Sequence, residues 1–140
     1  MSFNSFMLWL LHSPFHALIS KRTLGITFRG SKSGNTYTLP VDYVSDGEEL
    51  LITSLRERTW WRNLRGGADV NLLLRGKEVP ARAEVFEDIT SVGQGLAQIV
   101  RIKPQWARFL KVKLYEKGDP SMIELDMAAR KRVVVRVKVQ

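Results

Sequence analysis

Polar and apolar residues alternate with two different periods along this chain. Leu24, Ile26 and Phe28 alternate with Thr23, Gly25, Thr27 and Arg29, the two-residue repeat of a strand with one face turned inward. After the turn Gly30–Asn35 the repeat resumes, with Tyr37, Leu39, Val41 and Tyr43 on one face and Thr36, Thr38, Pro40 and Asp42 on the other. Ser45-Asp46-Gly47-Glu48 predicts a tight hairpin turn, because Asp-Gly accepts the positive φ such turns need. Leu50, Ile52 and Ser54 form a third strand. Thr59–Leu64 predicts a short helical turn closed by Arg65-Gly66-Gly67. Val70, Leu72 and Leu74 follow as a strand, Gly76-Lys77-Glu78 as a hairpin, and Val79, Ala81, Ala83 and Val85 as its return. Asp88 or Thr90 caps a helix reaching about Lys103, weakened by Gly93 and Gly95. Asp119-Pro120 opens a further helix to about Ala129, and Val133, Val135, Val137 and Val139 form a last strand with Arg136 and Lys138 on its other face.

Residues 1–22 follow the helical period. Phe3, Met7, Leu10 and Leu11 share a face, and Ser13-Pro14 starts a helix to about Lys21, Pro being harmless in a first turn. The apolar run Phe6–Leu11 is far short of the roughly 20 residues a membrane span takes. The segment therefore reads as a lid over the core or a homodimer contact. A membrane-surface helix is the alternative, weakened because no Lys or Arg precedes Lys21.

Six short strands joined mostly by hairpins, with an N-terminal helix and two or three short helices, predict a mainly β fold: one small antiparallel barrel over residues 1–140. Closure would remove the exposed edges of such short strands. Pro40 has no N–H to donate, so it marks an edge or an opening in the pairing.

Composition narrows the function. The 140 residues carry 22 Lys plus Arg against 14 Asp plus Glu, a formal charge of +8, so the expected partner is anionic: nucleic acid, a phospholipid surface or a phosphorylated cofactor. Without cysteine there are no disulfides, thiolate nucleophiles, zinc ribbons or iron–sulfur clusters, which suits a reducing cytoplasm. His12 and His16 are the two histidines, and no acid nearby completes a metal site. No Ser–His–Asp set, HExxH motif or carboxylate pair points to hydrolysis.

Two constellations remain. Arg29-Gly30-Ser31-Lys32-Ser33-Gly34-Asn35-Thr36 combines glycines that allow close backbone approach with cations and hydroxyls, as an anion cradle does. It is not a Walker loop, since the glycine–lysine spacing is wrong and no helix follows. An ordinary exposed hairpin uses the same residues. The second is the start of the helical turn, with Trp60, Trp61 and Asn63, directly after Arg56 and Arg58, where free amides attract anions. Adjacent tryptophans point about 100° apart, so one faces the core and the other a groove. The plainer reading has both plugging a barrel end. An anion cradle beside aromatics, with few catalytic side chains, suits chemistry performed by a bound cofactor.

Gly30–Val41, Asp46-Gly47 and Trp60-Trp61-Arg62-Asn63-Leu64-Arg65, taken in order, resemble the deazaflavin-dependent nitroreductase family of the split β-barrel flavin- and deazaflavin-binding oxidoreductases. Leu11–His16 resembles that family's N-terminal helix, and the likeness runs from about Leu11 to Arg82. Trp61 stands where the family usually has tyrosine. The resemblance implies a six-stranded antiparallel split β-barrel that binds F420, or FMN in relatives, and passes hydride to a quinone, nitroaromatic or similar small-molecule acceptor. It implies that Lys32, Ser33 and Gly34 hold the phosphate, that Thr38, Leu39, Pro40 and Ser54 lie beside the ring, and that Trp60 and Asn63 come from the helix start. Arg29, Thr36, Arg56, Arg58 and Trp61 complete the candidate set from the two constellations. The expected location is the cytoplasm, with contact at the inner membrane face as the variant reading.

Two other functions stay open: a flavin or deazaflavin carrier without turnover, and a basic nucleic-acid-binding barrel in which Trp60, Trp61 and Tyr37 stack bases. The reductase reading expects no nucleic acid.

Overall fold

The computed structural model describes residues 22–47 and 49–140, so the expected helical segment lies, apart from Arg22, outside the described residues. Seven strands form one antiparallel sheet: β1 (Thr23–Arg29), β2 (Thr36–Asp42), β3 (Val44–Asp46), β4 (Glu49–Leu55), β5 (Ala68–Leu74), β6 (Lys77–Phe86) and β7 (Arg132–Val139). Their order across the sheet is β2-β1-β5-β6-β7-β4-β3. Three helices join them: α1 (Ile89–Ile102), α2 (Trp106–Leu110) and α3 (Met122–Lys131); a single 3-10 turn, Trp60–Leu64, connects β4 to β5.

The expectation of six strands in a closed barrel is corrected on both counts. The sheet curls into a half-barrel with β2 and β3 at its edges. Pro40 sits in edge strand β2, where its missing N–H breaks no ladder bond. The added strand is β3, read from sequence as part of the turn. At Tyr43 the chain leaves β1, its amide donating to the Arg22 carbonyl at 2.8 Å, and pairs with β4 from Val44 onward.

Tyr43 and the next residue, Val44, are both buried, and they enter different cores. The first core fills the concave side of the sheet with Leu24, Ile26, Phe28, Leu50, Ile52, Leu72, Val133, Val135 and Val137, closed by Trp61 and Leu64. The second lies between the outer face of β4 and β7 and the helices, with Leu51 and Val134 meeting Val92, Leu96, Ile99, Leu110, Leu125 and Ala129. A fully buried Leu, Ile or Val contributes about 1.5–3 kcal/mol relative to exposure, so β4 and β7, apolar on both faces here, anchor the fold.

Local signals set the connections. Arg75 and Gly76 adopt φ of 52° and 79°, the paired positive values of a two-residue hairpin between Leu74 and Lys77, so the tip falls one residue earlier than expected. The Asp88 carboxylate accepts the Ser91 amide at 2.9 Å and caps α1. Gly95 lets that helix rest directly on Val134.

Candidate functional site

The register of β1 on β2 builds the first wall of the site. Arg29 pairs with Thr36, so Phe28 stands opposite Tyr37, with ring centroids 5.9 Å apart. Alternation turns Phe28, Tyr37 and Leu39 to one side of the hairpin and Thr27, Arg29, Thr36 and Thr38 to the other. Phe28 also meets Trp60, centroids 6.0 Å apart, and joins the two rings into an aromatic floor.

The loop between these strands folds on itself. The Gly30 amide donates to the Asn35 carbonyl at 2.7 Å and the Gly34 amide to the Gly30 carbonyl at 2.9 Å. The Asn35 amide donates to Ser33 Oγ at 3.1 Å, and that hydroxyl lies 3.3 Å from the Tyr37 phenol. Hydrogen bonds with Ser33, then Asn35, hold the Tyr37 phenol below its usual pKa. A Cβ on Gly30 would meet Tyr37 Cε2 at 2.8 Å and Ser33 Oγ at 2.9 Å, so this close approach requires glycine.

Asn63 ties the loop to the 3-10 turn. Its Oδ1 accepts the Ser31 amide at 2.9 Å and the Ser31 hydroxyl at 3.2 Å, while its Nδ2 donates to the Trp60 carbonyl at 2.8 Å. The two sequence constellations are therefore one structure. The expected cradle of loop amides is corrected, however: those of Gly30, Ser31, Gly34 and Asn35 are spent inside the molecule. The donors left to face outward are mainly the side chains of Lys32, Ser33 and Arg62. The 3-10 turn is likewise too short for the helix dipole the sequence suggested.

The tryptophans divide as their spacing requires. Trp61 is 2% exposed, with the Arg62 and Arg65 guanidinium groups over its ring at 5.7 and 5.1 Å. Trp60 is half-buried, and its Nε1 donates to Ser54 Oγ at 3.1 Å. The Trp60 ring separates two clefts. The first, about 540 Å³, is lined by Phe28, Gly30, Ser31, Lys32, Ser33, Tyr37, Leu39, Thr59, Trp60, Arg62 and Asn63. Among the described residues its lining holds two cations and no carboxylate. The second, about 240 Å³, is lined by Pro40, Val41, Asp42, Thr53, Ser54, Leu55, Arg58, Trp60, Trp106, Phe109 and Arg132.

Of the residues singled out in the sequence, Lys32, Ser33, Leu39, Trp60 and Asn63 thus meet in the first cleft, and Pro40, Ser54, Arg58 and Trp60 in the second. Gly34 sits on the exposed loop at φ 74°. The others lie elsewhere. Arg29 and Thr36 border a separate depression of about 330 Å³ on the opposite side of the hairpin. Thr38 shares a 2.8 Å hydrogen bond with Thr27 on that same side. Arg56 is drawn inward to the carbonyls of Glu87 and Ala129, and Trp61 belongs to the core.

Sequence reasoning gave no cofactor-site role to Phe28, Tyr37, Thr59 and Arg62 in the first cleft or Trp106, Phe109 and Arg132 in the second. Phe28 and Tyr37 were within reach, because pairing Arg29 with Thr36 across the loop sets them opposite each other. Nothing in the sequence pattern brings α2 to β2. Among the described residues, no cluster of His, Asp and Glu could hold a metal ion, and no helix is long and apolar enough to cross a membrane.

No family model and no curated protein matches the chain. Its fold is shared with solved structures. An F420-H2-dependent reductase is 17% identical with a TM-score of 0.53, over 86% of this chain and 95% of that one. A candidate pyridoxamine 5′-phosphate oxidase from Listeria innocua is 15% identical with a TM-score of 0.54, over 89% and 90%. A candidate 5-nitroimidazole antibiotic resistance protein from Bacteroides thetaiotaomicron is 15% identical with a TM-score of 0.53, over 89% and 77%. The chain shares the fold of these solved structures.

Proposed function

We propose that this split-barrel protein binds a phosphorylated redox ring, F420 with FMN as the alternative, and reduces a small-molecule acceptor such as a quinone or nitroaromatic. The observation that carries this reading is the pair of clefts sharing the Trp60 ring, one of them lined by Lys32 and Arg62 with no acid. The residues present suit such a group. Lys32, Arg62 and Ser33 would hold its phosphate through charge and a hydroxyl donor, which strengthen one another at an anion. The Leu39 backbone at the edge of β2 and the face of Trp60 toward the first cleft would border the ring.

When bound, the deazaflavin or flavin supplies the hydride. The chain's own task is to orient and to exclude water. Asn63 fixes the loop against the 3-10 turn, Ser54 fixes the plane of the Trp60 indole, and the Phe28 ring backs it. With no carboxylate or imidazole among the described residues that line the first cleft, positioning rather than acid–base transfer is what these side chains offer there.

Titrating the purified protein with F420 and with FMN, followed by cofactor fluorescence, tests the reading. Saturable binding of either, with oxidation of the reduced cofactor by menadione, is the expected result. Binding without oxidation identifies a carrier, and no saturable binding of either ends the proposal.

A further inference from the structure

Four arginines of this structure face carboxylates: Arg65 with Glu87, Arg82 with Asp69, Arg130 with Asp126 and Arg136 with Glu49. Arg132 does not. It opens β7 half-buried in the second cleft, with its guanidinium 5.1 Å from the centre of the Phe109 ring and no carboxylate or carbonyl partner among the described residues. Burial pushes its pKa down, the mark of a cation whose lost hydration is not replaced. Arg58 enters the same cleft, also without a side-chain partner among the described residues. The one carboxylate in the lining, Asp42, already accepts the Thr23 hydroxyl at 2.7 Å.

Three aromatic rings share the rest of the cleft with Pro40, Val41, Thr53, Ser54 and Leu55. Trp60 forms one wall, and Trp106 and Phe109 contribute an edge-to-face pair, centroids 6.0 Å apart at 80°. A volume of about 240 Å³ admits a small fused ring rather than a long chain. An anionic group would relieve the bare guanidinium, and a planar guanidinium meets a carboxylate or sulfonate through two parallel hydrogen bonds.

We infer that the second cleft binds a flat aromatic anion, a ring carboxylate or sulfonate, with the negative group on Arg132 and Arg58 and the ring beside Trp60. As the acceptor site of a reductase this rests on the proposal above; as a binding site it stands without it.

The test is a titration of the cofactor-free full chain with 2-naphthoate and with the neutral 2-naphthamide, read by tryptophan fluorescence. Naphthoate should bind saturably and about tenfold or more tightly than the amide. Arg132→Leu and the more exposed Arg58→Gln should each weaken naphthoate and leave the amide unchanged, so a folding failure of the first leaves the second informative. Arg101→Gln removes the same charge from the exposed surface of α1 and should change nothing. Equal binding of acid and amide, unaltered naphthoate binding in Arg58→Gln, or no binding overturns the inference. Naphthoate binding in a protein that ignores F420 and FMN sinks the reductase proposal and keeps this site; the converse sinks this site alone.

Discussion

Replacing Asn63 separates the mechanical role of the loop from its charge. Asn63→Ala removes three hydrogen bonds, two from Ser31 and one to the Trp60 carbonyl. Each sits where water can take its place, so the low end of the usual range applies, about 0.5 kcal/mol apiece and about 1.5 kcal/mol together. In a domain of this size that lowers the thermal midpoint by roughly 3–6 °C. The loop, no longer held to the 3-10 turn, must then be ordered by the ligand, and F420 affinity should fall about tenfold. Asn63→Asp keeps an acceptor for Ser31 but adds a negative charge to the cleft of Lys32 and Arg62. Its thermal midpoint should drop no further than that of the alanine variant, while its F420 affinity drops more. Differential scanning calorimetry and fluorescence titration read the two effects separately. An aspartate variant that binds F420 like the wild type, or an alanine variant unchanged in both measurements, refutes the reasoning.

Two glycines of α1 should respond with opposite signs. A Cβ on Gly93 meets nothing, so Gly93→Ala gains helix propensity, about 0.5–1 kcal/mol; on Gly95 it would lie 2.9 Å from a γ-methyl of buried, β-branched Val134, so Gly95→Ala should cost about 1–2 kcal/mol net. Urea unfolding of both variants decides it, and stabilisation by Gly95→Ala would show that the helix can lift off β7. Asp88 predicts a pH dependence: its hydrogen bond from the Ser91 amide, and then that residue's hydroxyl, lower its pKa in the folded state. Its contribution is therefore complete above the unfolded value, about 3.9, and disappears as pH falls through the lower folded one. The stability difference between wild type and Asp88→Asn should be flat above about pH 5 and change sharply below 4; a curve flat throughout would mean the carboxylate does not cap the helix as an anion.

The hairpins and the start of α1 are legible in the sequence because each is decided by residues close together. Asp46-Gly47 and Gly76 mark turns, Asp88 marks a cap, and alternation in β1 and β7 marks the concave face. β3 was hidden for a physical reason. The alternation Tyr37–Leu39–Val41–Tyr43 runs on unbroken while the chain changes partner, and the break shows only in Tyr43 and Val44 being buried in succession on opposite sides. Closure was misjudged because nothing local says whether β2 finds a second neighbour. Within the site, Lys32, Ser33, Trp60 and Asn63 were visible as a loop and a helical turn, but the bond from Ser31 to Asn63 joins them across a distance in sequence that periodicity does not record. Arg56 looked like an anion ligand because its charge was visible and its carbonyl partners, Glu87 and Ala129, were not.

Strand β7 lies between β6 and β4 in the sheet, yet it is made after both. On the ribosome, a nascent chain that has emerged only as far as α3 owns every residue of both clefts except Arg132, but β4 then has β3 as its one neighbour and Ser54 has no anchored strand beneath it. Val133, the partner of Ser54 on β7, must emerge before the Trp60 wall has a fixed support. A stop codon just before Arg132 would leave the visible motifs whole and the groove without its support.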